Sequence, residues 1–456
     1  MKEWFVMKSI TKKTFVKYLV IVITVVAIFT PASHIYASES HSTAIVNIPE
    51  VINKYANAVN NKDWDSFVES YSPERQKDYV GFPSQYQIEN RTGILSVDSI
   101  RVYEAKEIPS EHIMEIEPYF LDINNSLYDD IRYFYVGFDY KVYEESEFFY
   151  NGVKYELLAI GSVDKTEYII GHENVYDISK LEKFGYSFNS DAERKAQNVV
   201  SQREKGIIVN FDNDIISSND GGTDIKDKVE GESIQQPTEI EDDAILPEPE
   251  INNVPKNENI NTQEQIDLEK AKQGRSSQLI QPQSATSPPS TFKLYITRTG
   301  VLTNIGFDSY AKCVLPNEWY ASWRPKALQA GAVTIKTYAW YNATYPRRPA
   351  TDYGAHLTDN PANYQHYVAN SNQPSTDTAV NAVSGKFMRN SSGRVFDAQY
   401  RAGTQGQIGT AFGGVLSQWG TQYIATNYPE YDVYTILSYY YSFSDKSSGY
   451  IQLGSY

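Results

Sequence analysis

Residues Tyr310–Tyr341 read YAKCVLPNEWYASWRPKALQAGAVTIKTYAWY, and the second half of this stretch has the periodicity of a core helix. Pro325 suits a first helical turn, and Lys326–Trp340 is rich in Ala, Leu and Gln, which favour helix. Leu328, Ala332, Ile335 and Ala339 recur at helical spacing, predicting one apolar stripe against a core. Ala327, Ala330, Gly331 and Ala332 allow neighbouring backbone to approach closely, at a propensity cost of about 1 kcal/mol for the glycine. Glu318 precedes this helix and is placed at its entry, next to Trp319 and Tyr320. Burial beside aromatic rings raises a carboxyl pKa, which suits a proton donor near neutral pH.

Working outward, residues 38–191 have the pattern of a separate α+β domain. IPEVINKYANAVNNKDWDSFVESYS carries two helical stripes, Val51/Tyr55/Ala58/Val59 and Trp64/Phe67/Val68. ILSVDSIRVYEAKEI, IRYFYVGFDYKVYEE, GVKYELLAIGSVDK and EYIIGHE follow with the alternation of strands. Helices followed by a curved sheet resemble the cone-shaped fold of the nuclear transport factor and cystatin-like groups. That fold hosts many functions, and with no His/Asp/Cys cluster here the domain reads as a docking element.

Residues 192–290 turn to Asp, Glu, Asn, Gln, Ser and Pro, and Phe211–Arg275 holds 17 acidic against 6 basic residues. Such a segment buries too little apolar surface to offset ordering, so a long disordered acidic linker is expected there. It accounts for much of the chain's net charge of -16, whereas Thr291–Tyr456 has 13 basic and 9 acidic residues. A mildly basic carboxy-terminal domain suits anionic polymers. Nucleic acid is not expected as a partner, since there is no dense basic patch or known motif. At the other end, Lys8, Lys12, Lys13 and Lys17 precede YLVIVITVVAIF, Pro31 and the small-residue site at Ala37. This predicts a signal peptide over 1–37, or a membrane anchor if it is not removed, and hence an extracytoplasmic, secreted or cell-wall-associated protein. Cys313 is the lone cysteine, so no intramolecular disulfide forms. Two α+β domains, 38–191 and 291–456, each long enough for its own core, are expected to fold independently.

The motif KALQAGAVTIKTYA resembles the EALKAQAVAARTYA run of the SpoIID/LytB family, that of stage II sporulation protein D and the amidase enhancers. GAHLTDNPANYQHY resembles the family's stretch ending in Q-x-Y, and NAVSGKFM its A-V-x-x-T-x-G-x-V-L segment. The resemblance covers Lys293 to the C-terminus. It implies a lytic transglycosylase acting on peptidoglycan glycan strands stripped of peptide, with a cell-wall amidase as a further partner and a place in sporulation. Glu318 matches the family's catalytic glutamate, acting first as acid and then as base on the muramic 6-hydroxyl. A second carboxylate is not required by that scheme, although Asp359 and Asp397 are candidates for a pair.

The same resemblance makes Lys336 a helper in catalysis and Trp319, Gln329, Asp359, Gln365, Tyr367, Tyr400, Arg401 and Gln405 substrate contacts. Two of these depart from the family. Gln329 replaces a Lys, and Lys336 replaces an Arg whose planar fork grips carboxylates. DAQYRAGTQGQIGTAFGGVLSQWG keeps Tyr400 but displaces the family's glycine pair, leaving Arg401, Thr404 and Gln405 as local substitutes. These departures support the alternative of a non-catalytic wall-binding amidase enhancer. No cofactor is implied. No metal is expected either, because His356 and His366 lack a neighbouring cysteine and zinc takes three or four ligands.

Overall fold

The computed structural model describes residues 48–117, 120, 123–216, 223–224, 262–277 and 288–455. The expected leader and the middle of the expected linker lie outside these residues. The class is α+β, with mixed helices and sheets.

Helices α1 (Glu50–Asn61) and α2 (Trp64–Glu69) open the amino-terminal half. Lys62 turns the chain in the left-handed region, and the Asp63 side chain caps α2 by accepting from the Ser66 N–H. Strands β1 (Val97–Ile108), β2 (Asp130–Val142), β3 (Gly152–Val163) and β4 (Thr166–Asn174) form an antiparallel sheet in chain order. Alternation along β3 and β4 puts Glu156 and His172 on one face, with Glu156 opposite Asn174 and Leu158 opposite His172.

The expected linker is narrower than 192–290. Helix α3 (Asp191–Glu204), capped by Ser190, buries Ala196 and Val199 and packs on β3. A tight turn follows, in which Asn213 N–H bonds Asn210 O at 3.0 Å. Helix α4 (Thr262–Ser277) lies inside the far end of the expected linker. Leu268 and Ala271 on it are fully buried, whereas Ile266 stays exposed.

In the carboxy-terminal half, β5 (Thr291–Ile296) and β6 (Val301–Gly306) form a hairpin, β7 (Leu357–Thr358) pairs parallel to β5, and Thr223–Asp224 pairs parallel to β6. Helix α5 (Phe307–Glu318) leads to α6 (Pro325–Thr344). The next elements are α7 (Pro374–Ala382), β8 (Lys386–Arg389), β9 (Tyr400–Arg401), β10 (Leu416–Ser417), α8 (Gln418–Asn427), α9 (Val433–Tyr441) and β11 (Gln452–Ser455). The predicted single stripe on α6 understates its burial. Helices α5, α7, α8 and α9 and strand β8 surround it, so Thr334, Lys336 and Thr337 are buried along with the apolar positions. Gly331 is needed for this packing, since a Cβ there would meet the Trp319 ring at 2.8 Å. Helix α4 docks on this half through tyrosines. Tyr428 donates to Glu264 at 2.9 Å, Tyr431 to Glu269 at 2.8 Å, and Ser438 to the Ala271 carbonyl at 2.9 Å.

The two halves share a buried polar interface and are not separate bodies, contrary to the expected independence. Arg348, just after α6, donates to Glu156 at 2.9 Å, to Asp352 at 2.9 Å and to the Tyr55 hydroxyl at 3.0 Å, and it contacts His172. Tyr79 donates to Asp352 at 2.6 Å, while His172 meets Glu156 at 2.6 Å and Tyr71 at 3.1 Å. Pulling the halves apart would leave Glu156 and Arg348 without each other. Among the described residues no helix is long and apolar enough to cross a membrane.

Arg348→Met should therefore cost about 3–5 kcal/mol in urea unfolding of the full chain, since it strands two buried carboxylates. Burial, reinforced by Arg348, lowers the His172 imidazole to about 4 from 6.5. The unfolded chain binds more protons in that window, so stability should fall as pH drops from about 6.5 to about 4. His172→Gln should flatten that slope; an unchanged slope would contradict the assignment.

Candidate functional site

Glu318 is the last residue of α5 rather than the entry to α6, with six residues, Trp319–Arg324, between the two helices. Its carboxyl group is half-buried and held from two sides. Oε1 accepts the His366 backbone N–H at 3.0 Å, and Oε2 accepts from the Gln418 amide at 3.3 Å. The same Gln418 amide bonds the Glu318 carbonyl at 2.7 Å, tying the start of α8 to the end of α5.

This carboxyl lines a cleft of about 510 Å³, together with Gln365, Tyr400, Tyr338, Tyr364 and Arg347. Gln365 is 2% exposed. Its amide and the Tyr400 hydroxyl are neighbours, and neither completes a well-formed hydrogen bond with the protein. Buried polar atoms left in that state are costly unless something else pairs with them, so this wall has hydrogen-bonding groups to offer a molecule in the cleft. Burial and the nearby Glu318 raise the Tyr400 phenol well above its ordinary value, which keeps it a neutral O–H donor. Arg347 is braced by the Tyr338 hydroxyl at 2.9 Å and the Asn363 carbonyl at 3.0 Å and lies over the Tyr364 ring. It gives the cleft a fixed positive charge.

Of the residues expected from sequence, the cleft thus brings together Glu318, Gln365 and Tyr400. Trp319 turns into the core at 1% exposure, donates to Thr421 at 3.2 Å and supports the Tyr400 ring at 5.0 Å. Tyr320 joins Trp323 and Trp419 instead of enclosing the carboxyl. Tyr367 is buried and stacked on Tyr310 at 5.5 Å. Lys336 lies near the opposite end of α5, where it is fully buried against Asp308 at 2.8 Å and the Val383 carbonyl at 2.6 Å. Asp308 and Glu318 are ten residues apart, about 15 Å along a helix. Gln329 is half-buried on α6 outside the cleft lining, and Arg401 at the end of β9 and Gln405 on the loop after it are exposed.

Asp359 binds Thr297 at 2.6 Å, and Asp397 accepts from Gln399 at 2.9 Å. Among the described residues no hydrogen bond joins the two. His356 is bonded by the Lys293 N–H and by Glu147, and His366 contributes its backbone to Glu318. Cys313 is half-buried, and burial pushes its thiol up.

Sequence reasoning missed Arg347 and Gln418, and it missed two cleft residues from the amino-terminal half, Arg75 and Glu173. The local signal for Arg347 is the pair Arg347–Arg348 between Pro346 and Pro349, a basic turn at the end of a buried helix. Glu173 and Arg75 have no local signal. Residues 295–389 match the family model of SpoIID, stage II sporulation protein. The match makes this part of the chain sporulation- and cell-wall-related. It contains Glu318, Arg347 and Gln365, while Tyr400 and Gln418 lie beyond its end. Nothing among curated proteins matches the chain.

If the Gln365 amide is kept for a ligand, Gln365→Met should stabilise the full chain by about 1 kcal/mol in urea unfolding while weakening whatever the cleft binds. Destabilisation of that size would show the amide to be structural.

Proposed function

We propose that the chain is an exported peptidoglycan-remodelling protein whose Glu318 cleft cuts glycan strands by lytic transglycosylation. The observation that carries this reading is the convergence of Glu318, Gln365 and Tyr400 on one cleft. Proton transfer at a glycosidic bond needs a positioned carboxyl group, and two N–H donors position that of Glu318. Unpaired amide and phenol groups suit sugar hydroxyls and N-acetyl groups, and aromatic rings suit sugar faces. Arg347 suits the lactyl carboxylate that is free once peptide has been removed. In this reaction the 6-hydroxyl oxygen of muramic acid attacks its own C1, the bond to the next sugar's oxygen breaks, and Glu318 handles the proton. Export follows from the leader pattern. A cell-wall amidase is the natural supplier of substrate, because stripped glycan is its product.

Lys336 gives the amidase-enhancer alternative little support. Its difference from the family's Arg concerns a buried pair with Asp308, away from the cleft.

The test is mass spectrometry of fragments released from amidase-stripped peptidoglycan by the full chain and by Glu318→Gln. Anhydro-muramic ends are expected, with the Gln variant slower by about 10²–10⁴-fold. Tight wall binding with no fragments from either protein would move the assignment to an enhancer, and reducing ends would mean hydrolysis.

A further inference from the structure

Glu318 is not the only carboxyl group in its cleft. Glu173 lines the same cavity from the opposite half of the chain, with Arg75 beside it. It sits near the end of β4 between His172 and Asn174, which are both buried. Strand alternation turns Glu173 to the other face from these two and towards the cleft. The β4 edge is held to the carboxy-terminal half by the bond from Asn174 to the Pro346 carbonyl at 2.7 Å, next to Arg347. The position of Glu173 is therefore fixed by the same interface that positions Arg347.

The two carboxyl groups differ in how they are held. Both oxygens of Glu318 accept N–H groups, which fixes the carboxyl group against the cleft wall. The Glu173 carboxyl group accepts no hydrogen bond among the described residues and lines the cavity. The charged and titratable groups facing Glu173 are Arg347, Arg75 and Arg348, with Tyr364 and Tyr176. Burial outweighs the three arginines and raises the Glu173 carboxyl above its usual range, towards a form that carries a proton to give. The unpaired amide of Gln365, 2% exposed, lines the same cavity and offers it a donor and an acceptor.

We propose that Glu173 is the general acid of the cleft and Glu318 its base, so that the reaction draws one carboxyl group from each half of the chain. This rests on the glycan-cleaving reading and replaces its single acid–base residue by a pair. Glu173 gives its proton to the glycosidic oxygen as the bond to C1 breaks, and the leaving sugar departs as an alcohol. The 6-hydroxyl oxygen bonds to C1, and its proton goes to Glu318. One proton then passes through solvent from Glu318 to Glu173, restoring both groups.

The test uses the full chain, Glu173→Gln and Glu318→Gln on two substrates: stripped glycan, and a dinitrophenyl glycoside of a muramyl saccharide, whose phenolate leaves without a proton. Glu173→Gln should cut stripped glycan about 10²-fold or more slowly yet release dinitrophenolate at close to the wild-type rate. Glu318→Gln should lose both. The wild-type rate on glycan should fall on the alkaline side as Glu173 deprotonates, and that limb should be missing in Glu173→Gln. Equal losses on both substrates would mean that Glu173 is only structural, and a wild-type rate on glycan would show it idle; either overturns the proposal while leaving the glycan-cleaving reading intact. Absence of anhydro ends from the wild-type chain would instead overturn that reading and this proposal with it.

Discussion

One buried guanidinium holds the architecture together. Arg348 bridges Glu156 of the sheet, Asp352 of its own loop and the Tyr55 hydroxyl of α1, with all three charged groups removed from water. Desolvating such a cluster is expensive, and its net contribution to stability is small beside the cost of breaking it. What it gives is register. The planar fork fits its partners in one orientation, so the segment 346–352 has one position against the sheet.

The cleft inherits that register. Arg347 is the neighbour of Arg348, Glu173 is the neighbour of His172 in β4, and the two neighbours line the cavity while Arg348 and His172 meet beneath it. The wall opposite is fixed differently. Trp319 fills the space over Gly331, Gln418 ties α8 to the end of α5, and the Glu318 carboxyl is held by Gln418 and the His366 N–H. The domain that reads in isolation as a docking element thereby supplies part of the wall of the Glu318 cleft.

Much of the fold was legible because it rests on local patterns. The Ala-rich run after Pro325 and the alternation in Gly152–Val163 each specify an element without reference to distant residues. Helix α5 was not seen, since Pro316 lies inside it and its apolar side is short. Helix α4 was assigned to the linker because its acidic residues look solvated, whereas Glu264 and Glu269 accept from tyrosines about 160 residues away in sequence. Within the site, Glu318, Gln365 and Tyr400 were named from motifs. Lys336 was misplaced because a lysine on a helix reads as a free charge until Asp308 is seen against it. Arg75 and Glu173 were beyond reach, because what brings them to Glu318 is the Arg348 interface, and no spacing within either half encodes that pairing.

The most direct test of a cleft built from both halves is a crystal structure of Glu318→Gln with a stripped glycan tetrasaccharide. The account predicts a glycosidic oxygen within about 2.6–3.2 Å of the residue 318 amide or of the Glu173 carboxyl, with sugar contacts to Gln365 and Tyr400 on one side and to Arg75 or Glu173 on the other. Glycan bound elsewhere, or held by the carboxy-terminal half alone, would contradict it.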